Sequence, residues 1–362
     1  MIKPIALYLP QFHPIPENDN WWGKGFTEWT NVTRAKPLYK GHYQPQLPTE
    51  LGFYDLRVAS TRIAQAELAR TFGIYGFCYY HYWFNGKRLL HEPLDDMIKT
   101  KSPDFPFMIC WANENWTRKW DGHDEDVLMK QEYSQQDDLN HIEFLCKHYF
   151  SDARYIRVNN KPFISIYRPS LFPDIRQTLK TWRSRARELG FDLHIGFMQA
   201  FVFDDNFSEY GFDCGIEFHP TYAKMQSAAE QIPLADKILH KLGLHDSIFY
   251  TGKIISYKKY AQLIMRDQSI SGQIYPGITP MWDNTARNGK RALIFKDSSP
   301  VIYQQWLKSI VEKYKSSPAS DQFIFINAWN EWAEGNHLEP CTRWGRQYLE
   351  ATRAALGSQA VA

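Results

Sequence analysis

Two carboxylates three residues apart, Glu331 and Glu334, follow an apolar run, Phe323 to Ile326, in the segment Asn330-Glu-Trp-Ala-Glu-Gly335. If the chain turns helically there, side chains at i and i+3 lie about 5–6 Å apart at Cβ. That spacing is near the ~5–5.5 Å between the carboxyl groups of a retaining glycoside hydrolase. Two close carboxylates also drive their proton affinities apart, leaving one protonated as an acid and the other ionised as base or nucleophile. Asn330 and Trp332 beside them suit a sugar, because amides hold hydroxyls and aromatic faces stack on pyranose rings. The competing role for each glutamate is structural: capping the next turn, or pairing with Arg343 or Arg346.

The same mixture of polar and aromatic residues recurs wherever an apolar run finishes. Gln11 and His13 follow Ile5 to Leu9; Tyr80, His81, Tyr82 and Trp83 end Tyr75 to Trp83; Asn113, Glu114 and Trp116 follow Phe105 to Trp111. Tyr167 and Arg168 close Pro162 to Tyr167, and Gln199 stands near the end of His194 to Ala200. Glu217 and His219 mark the end of Cys214 to Phe218; Trp282, Asp283 and Asn284 follow Ile274 to Met281. In a barrel all these ends converge on one mouth, where the active site lies. Glu28 and Trp29, in the long stretch Gln11 to Leu51, join the candidates; the alternative for Glu28 is an ordinary loop surface. Glu114 and Glu217 either bind hydroxyls or brace neighbours. Trp111, Trp116, Trp282 and Trp332 either stack on sugar or fill the core. His81 and His219 lack His-Glu-x-x-His spacing, and no CxxC pair occurs, so hydrogen bonding is favoured for both and neither a metal nor another cofactor is expected.

These residues need elements to carry them. The eight apolar runs alternate with helical patterns: Asp55 to Phe72, Lys87 to Lys101, Ser134 to Tyr149, Pro173 to Leu189, Ser256 to Arg266, Pro300 to Tyr314 and Arg343 to Leu356. Strands apolar throughout, alternating with helices, indicate a parallel sheet covered on both sides. Eight such units predict an α/β protein, one (β/α)8 barrel domain over residues 1–362, with a long ordered loop after the first strand. An open doubly wound sheet is the competing architecture, but neither GxGxxG nor GxxxxGK[ST] occurs.

Composition narrows the function. The net charge of +2 leaves no basic excess for phosphates, so no nucleic-acid partner is expected. Aromatic residues make up 16% of the chain, with 13 Trp, a rich supply for which filling a large core is the alternative to sugar stacking. Five cysteines, an odd number, suggest no disulfide framework. The N-terminus enters a strand without a basic segment and apolar stretch, and no apolar run approaches the ~20 residues of a membrane span. A soluble, reduced, cytoplasmic protein is expected.

The segment Asn330-Glu-Trp-Ala-Glu-Gly-Asn-His-Leu-Glu-Pro340 resembles the Asn-Glu-Trp-His-Glu-Gly motif of glycoside hydrolase family 99, the endo-α-mannosidases. Nearly the whole chain resembles the WbsX-type proteins of bacterial polysaccharide clusters, which are described as family-99-like and also named glycosyltransferases. The resemblance runs through Ile5-Ala-Leu-Tyr-Leu-Pro-Gln-Phe-His-Pro14, Gly25-Phe-Thr-Glu-Trp-Thr-Asn31, Gly76-Phe-Cys-Tyr-Tyr-His-Tyr-Trp83 and Trp111-Ala-Asn-Glu-Asn-Trp116. It implies a (β/α)8 barrel without an obligatory metal. It also implies that Glu331 is a base removing the sugar's 2-hydroxyl proton and Glu334 the acid/base at the glycosidic oxygen. The chain departs from the hydrolase motif at Ala333, where that family has His; this bears on substrate identity more than on reaction class.

Three readings follow. The first, which rests on the resemblance, is an enzyme cleaving or transferring a glycosidic bond in an oligosaccharide or in a bacterial surface polysaccharide of the O-antigen or capsule type, by retaining glycoside-hydrolase chemistry through Glu331 and Glu334. The second is a glycosyltransferase using an activated donor. The third is a glycan-binding barrel that keeps the tryptophans and tolerates loss of either glutamate.

Overall fold

A computed structural model describes residues 2–118, 123–201, 203–204, 206–242, 248–268, 273–315 and 322–357. Eight parallel strands form the core: β1 (Ile2–Tyr8), β2 (Gly76–Phe84), β3 (Phe107–Trp111), β4 (Lys161–Ile166), β5 (His194–Met198), β6 (Cys214–Ile216), β7 and β8 (Gln322–Ile326). β7 comes in two pieces, Ile274–Tyr275 and Gly277–Ile278. The first piece pairs with β6 and the second with β8, so this one interrupted strand closes the sheet into a barrel. Pro276 causes the interruption, having no N–H to give a ladder, although its carbonyl still accepts from the Phe325 N–H at 2.9 Å. Gly277 allows the closure: a Cβ there would lie 2.0 Å from the Glu217 carbonyl oxygen. β1 sits between β2 and β8, with Ile5 opposite Gly76 on one side and Phe325 on the other.

The strands form because their residues are apolar on both faces, one filling the barrel and the other meeting helices. Those helices are Ala59–Thr71, Glu92–Thr100, Gln135–Leu145, Ile175–Glu188, Tyr257–Asp267, Pro300–Lys315 and Gln347–Leu356. Ser134 caps the third, accepting from the Asp137 N–H, and Asp174 caps the fourth. Two expectations need correction. The helical pattern read from Asp55 starts later, at Ala59, and the Asp55 carboxylate turns to Arg57. Lys87 to Lys101 is not one helix. Asn85 and Gly86 both have positive φ and make a hairpin turn, so Lys87–Leu89 folds back antiparallel on β2 before Glu92–Thr100 begins.

The stretch after β1 is ordered and contains two short helices, Pro16–Trp22 and Glu28–Arg34. Beyond β6 and β7 the connections share a parallel ribbon, Lys253–Ser256 against Leu293–Lys296. All five cysteines are buried and free. Among the described residues no helix is long and apolar enough to cross a membrane.

Candidate active site

A cavity of about 300 Å³ opens at the carboxyl ends of the strands, at the lower end of the size usual for small-molecule sites. Tyr80 and Tyr82 of β2, Tyr167 after β4, Phe218 after β6 and Trp282 after β7 supply its aromatic wall. Glu114, Trp116, Glu331 and Glu334 reach it from the loops after β3 and β8. The first loop contributes Gln11, Asn18 and Trp22.

At one end three carboxylates gather on one guanidinium. Arg287 Nη1 lies 2.6 Å from Glu334 Oε1, and Nη2 lies 3.1 Å from both Glu331 Oε2 and Glu28 Oε1. Glu28 is fully buried and Glu331 is 5% exposed. Burial is the main force on both, and it raises their proton affinity; Arg287 pulls back down, while the neighbouring carboxylates push up again. Glu331 is thereby pushed up to about 8. A cluster with three acids and one cation is short of positive charge, and its cheapest remedy is to keep a proton.

The loop carrying Glu331 and Glu334 is held from below. Asn330 is fully buried and clasps β1, accepting from the Leu9 N–H at 2.7 Å and donating to the Leu9 carbonyl at 3.0 Å. Trp332 turns away from the cavity, stacks on His337 and donates its indole N–H to Glu339 at 2.6 Å. Glu339 also accepts from Tyr54 at 2.7 Å and Gln65 at 2.6 Å, and burial pushes its carboxyl up to about 7. The residues Trp332–Glu334 make a single 3-10 turn ending at Gly335, whose φ is +54°. The chain thus turns helically between the two carboxylates, in the tighter 3-10 form. Asp283 anchors the far side: its N–H donates to the Glu334 carbonyl at 2.7 Å. Its carboxylate accepts from Thr285, which opens the helix Thr285–Asn288 that carries Arg287. His42 fixes the same carboxylate. Its Nδ1 accepts from the Leu38 N–H, leaving Nε2 to donate to Asp283 at 2.6 Å.

Of the residues singled out from sequence, Gln11, Tyr80, Tyr82, Glu114, Trp116, Tyr167, Trp282, Asn284, Glu331 and Glu334 line the cavity. Glu28 stands behind Arg287. The others lie elsewhere, chiefly because successive side chains of a strand point to opposite faces. Tyr80 and Tyr82 point inward, so His81 points out and packs on His141 and Phe144. Trp111 likewise faces the helices, against His141, Phe172 and Trp182. Phe218 points in, which turns Glu217 toward Gln268 and Gly277 and His219 toward Tyr260 and Trp306. Trp282 points in, so Asp283 does not. Asn113 is buried, bonding Arg168 through its backbone N–H and carbonyl; Arg168 in turn pairs with Glu114 at 2.6 Å. Trp29 packs between Phe12, Tyr54 and Trp332. Asn330 and Trp332 are structural, as described. Arg343 and Arg346 pair with neither site glutamate: Arg346 bonds Glu50, and Arg343 lies over the rings of Tyr43 and Trp344.

Sequence reasoning did not assign Arg287, Asn18, Trp22 or Phe218 to the site. Period-two alternation along its strand run carried the signal for Phe218. Nothing local marks Arg287. Asn18 is fully buried, and its amide makes no hydrogen bond among the described residues; the Trp282 indole N–H is in the same condition. Buried polar groups normally have partners, so both are suited to bonding a guest in the cavity.

Residues 4–352 match the family model described as glycosyltransferase WbsX. The chain is 41% identical over 354 residues to a protein described as uncharacterized protein WxcX from Xanthomonas campestris pv. campestris, covering 97% of this chain and 49% of that protein. It therefore spans about half the length of the curated relatives it matches. Among solved structures, the GH99 endo-alpha-mannosidase from Bacteroides thetaiotaomicron superimposes with a TM-score of 0.58 at 13% identity, covering 98% of this chain and 96% of that one. A glycoside hydrolase-like protein does so with a TM-score of 0.56 at 15% identity, covering 98% and 93%. These two similarities establish the barrel fold.

Proposed function

The chain belongs to the WbsX glycosyltransferase family, and from that premise we propose a carbohydrate-active enzyme that cleaves or transfers a glycosidic bond in a bacterial surface polysaccharide by way of Glu331 and Glu334. The observation that carries the reading is the gathering of Glu28, Glu331 and Glu334 on Arg287 at the end of an aromatic-walled cavity. In this reading Glu331 takes the proton of the hydroxyl beside the anomeric carbon. That oxygen attacks the anomeric carbon, and Glu334 protonates the leaving glycosidic oxygen; the steps then reverse roles with an incoming water or sugar hydroxyl. A base works best with a proton affinity near the working pH, and burial has brought Glu331 there. Tyr80, Tyr167, Trp116 and Trp282 offer ring faces, and Asn18 and the Trp282 indole N–H offer hydrogen bonds to hydroxyls.

The family's description favours a second reading, transfer from an activated donor. Charge favours the first. Arg287, the cation among the described lining residues, is already in contact with three glutamates. An acidic cavity accepts a neutral sugar more readily than a diphosphate. Glu331→Gln tests the proposal. The variant is expected to keep glycan binding and to lose turnover by about 100-fold to 10,000-fold. Unchanged turnover in the variant would remove Glu331 from the chemistry, and glycan binding without turnover by the wild type would reduce the barrel to a glycan-binding module.

A further inference from the structure

The helix Leu234–Lys241 lies in the connection between β6 and the barrel's next helix, and none of its residues is buried. On a helical wheel Leu234, Ile238, Leu239 and Leu242 fall within an arc of roughly 140°, while Asp236, Lys237, His240 and Lys241 occupy the remainder. The four apolar side chains are 73%, 52%, 39% and 62% exposed. Tyr250, which stacks on His240, is exposed too. Apolar surface so concentrated and edged with charge marks an interaction face.

We infer that this helix is a membrane-interface element that seats the mouth of the barrel on an anionic bilayer. Charge selects the occupant. Residues 222–259 contain six lysines (224, 237, 241, 253, 258 and 259) against three acids (230, 236 and 246), a surplus of three, whereas the whole chain carries +2. An amphipathic helix with a basic polar face binds anionic lipid through both its halves. A second copy of the chain would instead bring the Lys237 and Lys241 edges of two helices together. Placement supports the same occupant. The segment departs just after Phe218 in the cavity wall and returns through Lys253–Ser256, which pairs with Leu293–Lys296 close after Arg287 in the chain. The helix therefore belongs to the loops of the mouth, and a bilayer beneath it would bring a lipid-tethered glycan to the cavity. Two turns of helix are too short for permanent anchoring, so the association is reversible and sensitive to salt. The inference does not depend on which glycosidic chemistry the cavity performs.

Co-sedimentation of the whole chain with vesicles tests it, using phosphatidylcholine alone and phosphatidylcholine mixed with phosphatidylglycerol. Binding is expected on the mixed vesicles and not on the neutral ones, weakening as salt rises. Ile238→Asp combined with Leu242→Asp, and separately Lys237→Glu combined with Lys241→Glu, should each weaken it about tenfold or more. All four side chains are exposed, so thermal melts of both variants should match the wild type. Absence of binding to the mixed vesicles, or equal binding by the wild type and the double-aspartate variant, would overturn the inference. So would a concentration-dependent dimer that the double-aspartate variant abolishes without any vesicle binding, which would give the face to a second copy.

Discussion

At the scale of the residue, the site turns on Arg287. One guanidinium offers three nearby glutamates a shared partner, and burial leaves Glu28 and Glu331 with proton affinity above that of an unfolded chain. A carboxyl group raised in this way stabilises the fold most when protonated; that contribution is complete below the ordinary carboxylate range and is lost as pH rises through about 8 for Glu331. Stability of the wild type should therefore fall between about pH 5 and about pH 8, and Glu331→Gln, which cannot ionise, should flatten the fall. At the upper pH the variant should be more stable by on the order of 1–2 kcal/mol. Thermal melts at the two pH values check this, and a variant less stable than wild type at the higher one contradicts it. Arg287→Gln acts in the opposite sense. It leaves the buried carboxylates of Glu28 and Glu331, and the partly buried one of Glu334, without their cation and should cost roughly 3–5 kcal/mol in denaturant melts. Since Arg287 lowers the proton affinity of Glu331, its loss should also move the acidic limb of the rate profile to higher pH. Sequence made the glutamate pair legible, because two carboxylates at that spacing after an apolar strand suit glycosidic chemistry. Their partner was not legible: Arg287 lies 44 residues from Glu331 and meets it only through the closed barrel.

At the scale of the element, the turn that carries the pair is as constrained as the pair itself. Glu339 accepts from Trp332, Tyr54 and Gln65 with little exposure to water. Glu339→Leu would strand three buried donors at about 1–3 kcal/mol each, enough to remove most of a domain's stability; the milder Glu339→Gln should fold and report instead on turnover. Urea melts of the two variants should rank them in that order, and equal stability would contradict the role given to Glu339. Gly335 sits at φ +54°, and a Cβ there would come within 2.7 Å of the Asp283 carbonyl oxygen. Gly335→Ala should therefore cost about 1–3 kcal/mol and lower activity by shifting Glu334, measurable as a melt paired with a rate. Strands and helices were legible from apolar runs and caps such as Ser134. The facing of strand residues was legible in principle but obscured in Tyr79 to Trp83, where aromatics on both faces hide the alternation. The hairpin at Asn85-Gly86 was announced by its own turn residues and lost inside a helical pattern.

At the scale of the whole molecule, eight strand–helix units were enough to anticipate a barrel whose mouth gathers the strand ends. The closure was not readable, since it depends on a strand broken at Pro276 that pairs on one side before the break and on the other side after it. Nor was the acidity of the cavity, which emerges only when Glu28 from the first loop, Arg287 from the seventh and Glu331 and Glu334 from the eighth come together. That convergence is the central claim, and activity on sugars tests it most directly. The measurement is turnover by the wild type and by Glu334→Gln on aryl α- and β-glycosides and bacterial polysaccharides, each with and without nucleotide sugars. Release of reducing sugar in the absence of any nucleotide, abolished in Glu334→Gln, is the predicted result. Turnover that appears only when a nucleotide sugar is supplied, and that survives Glu334→Gln, would contradict it.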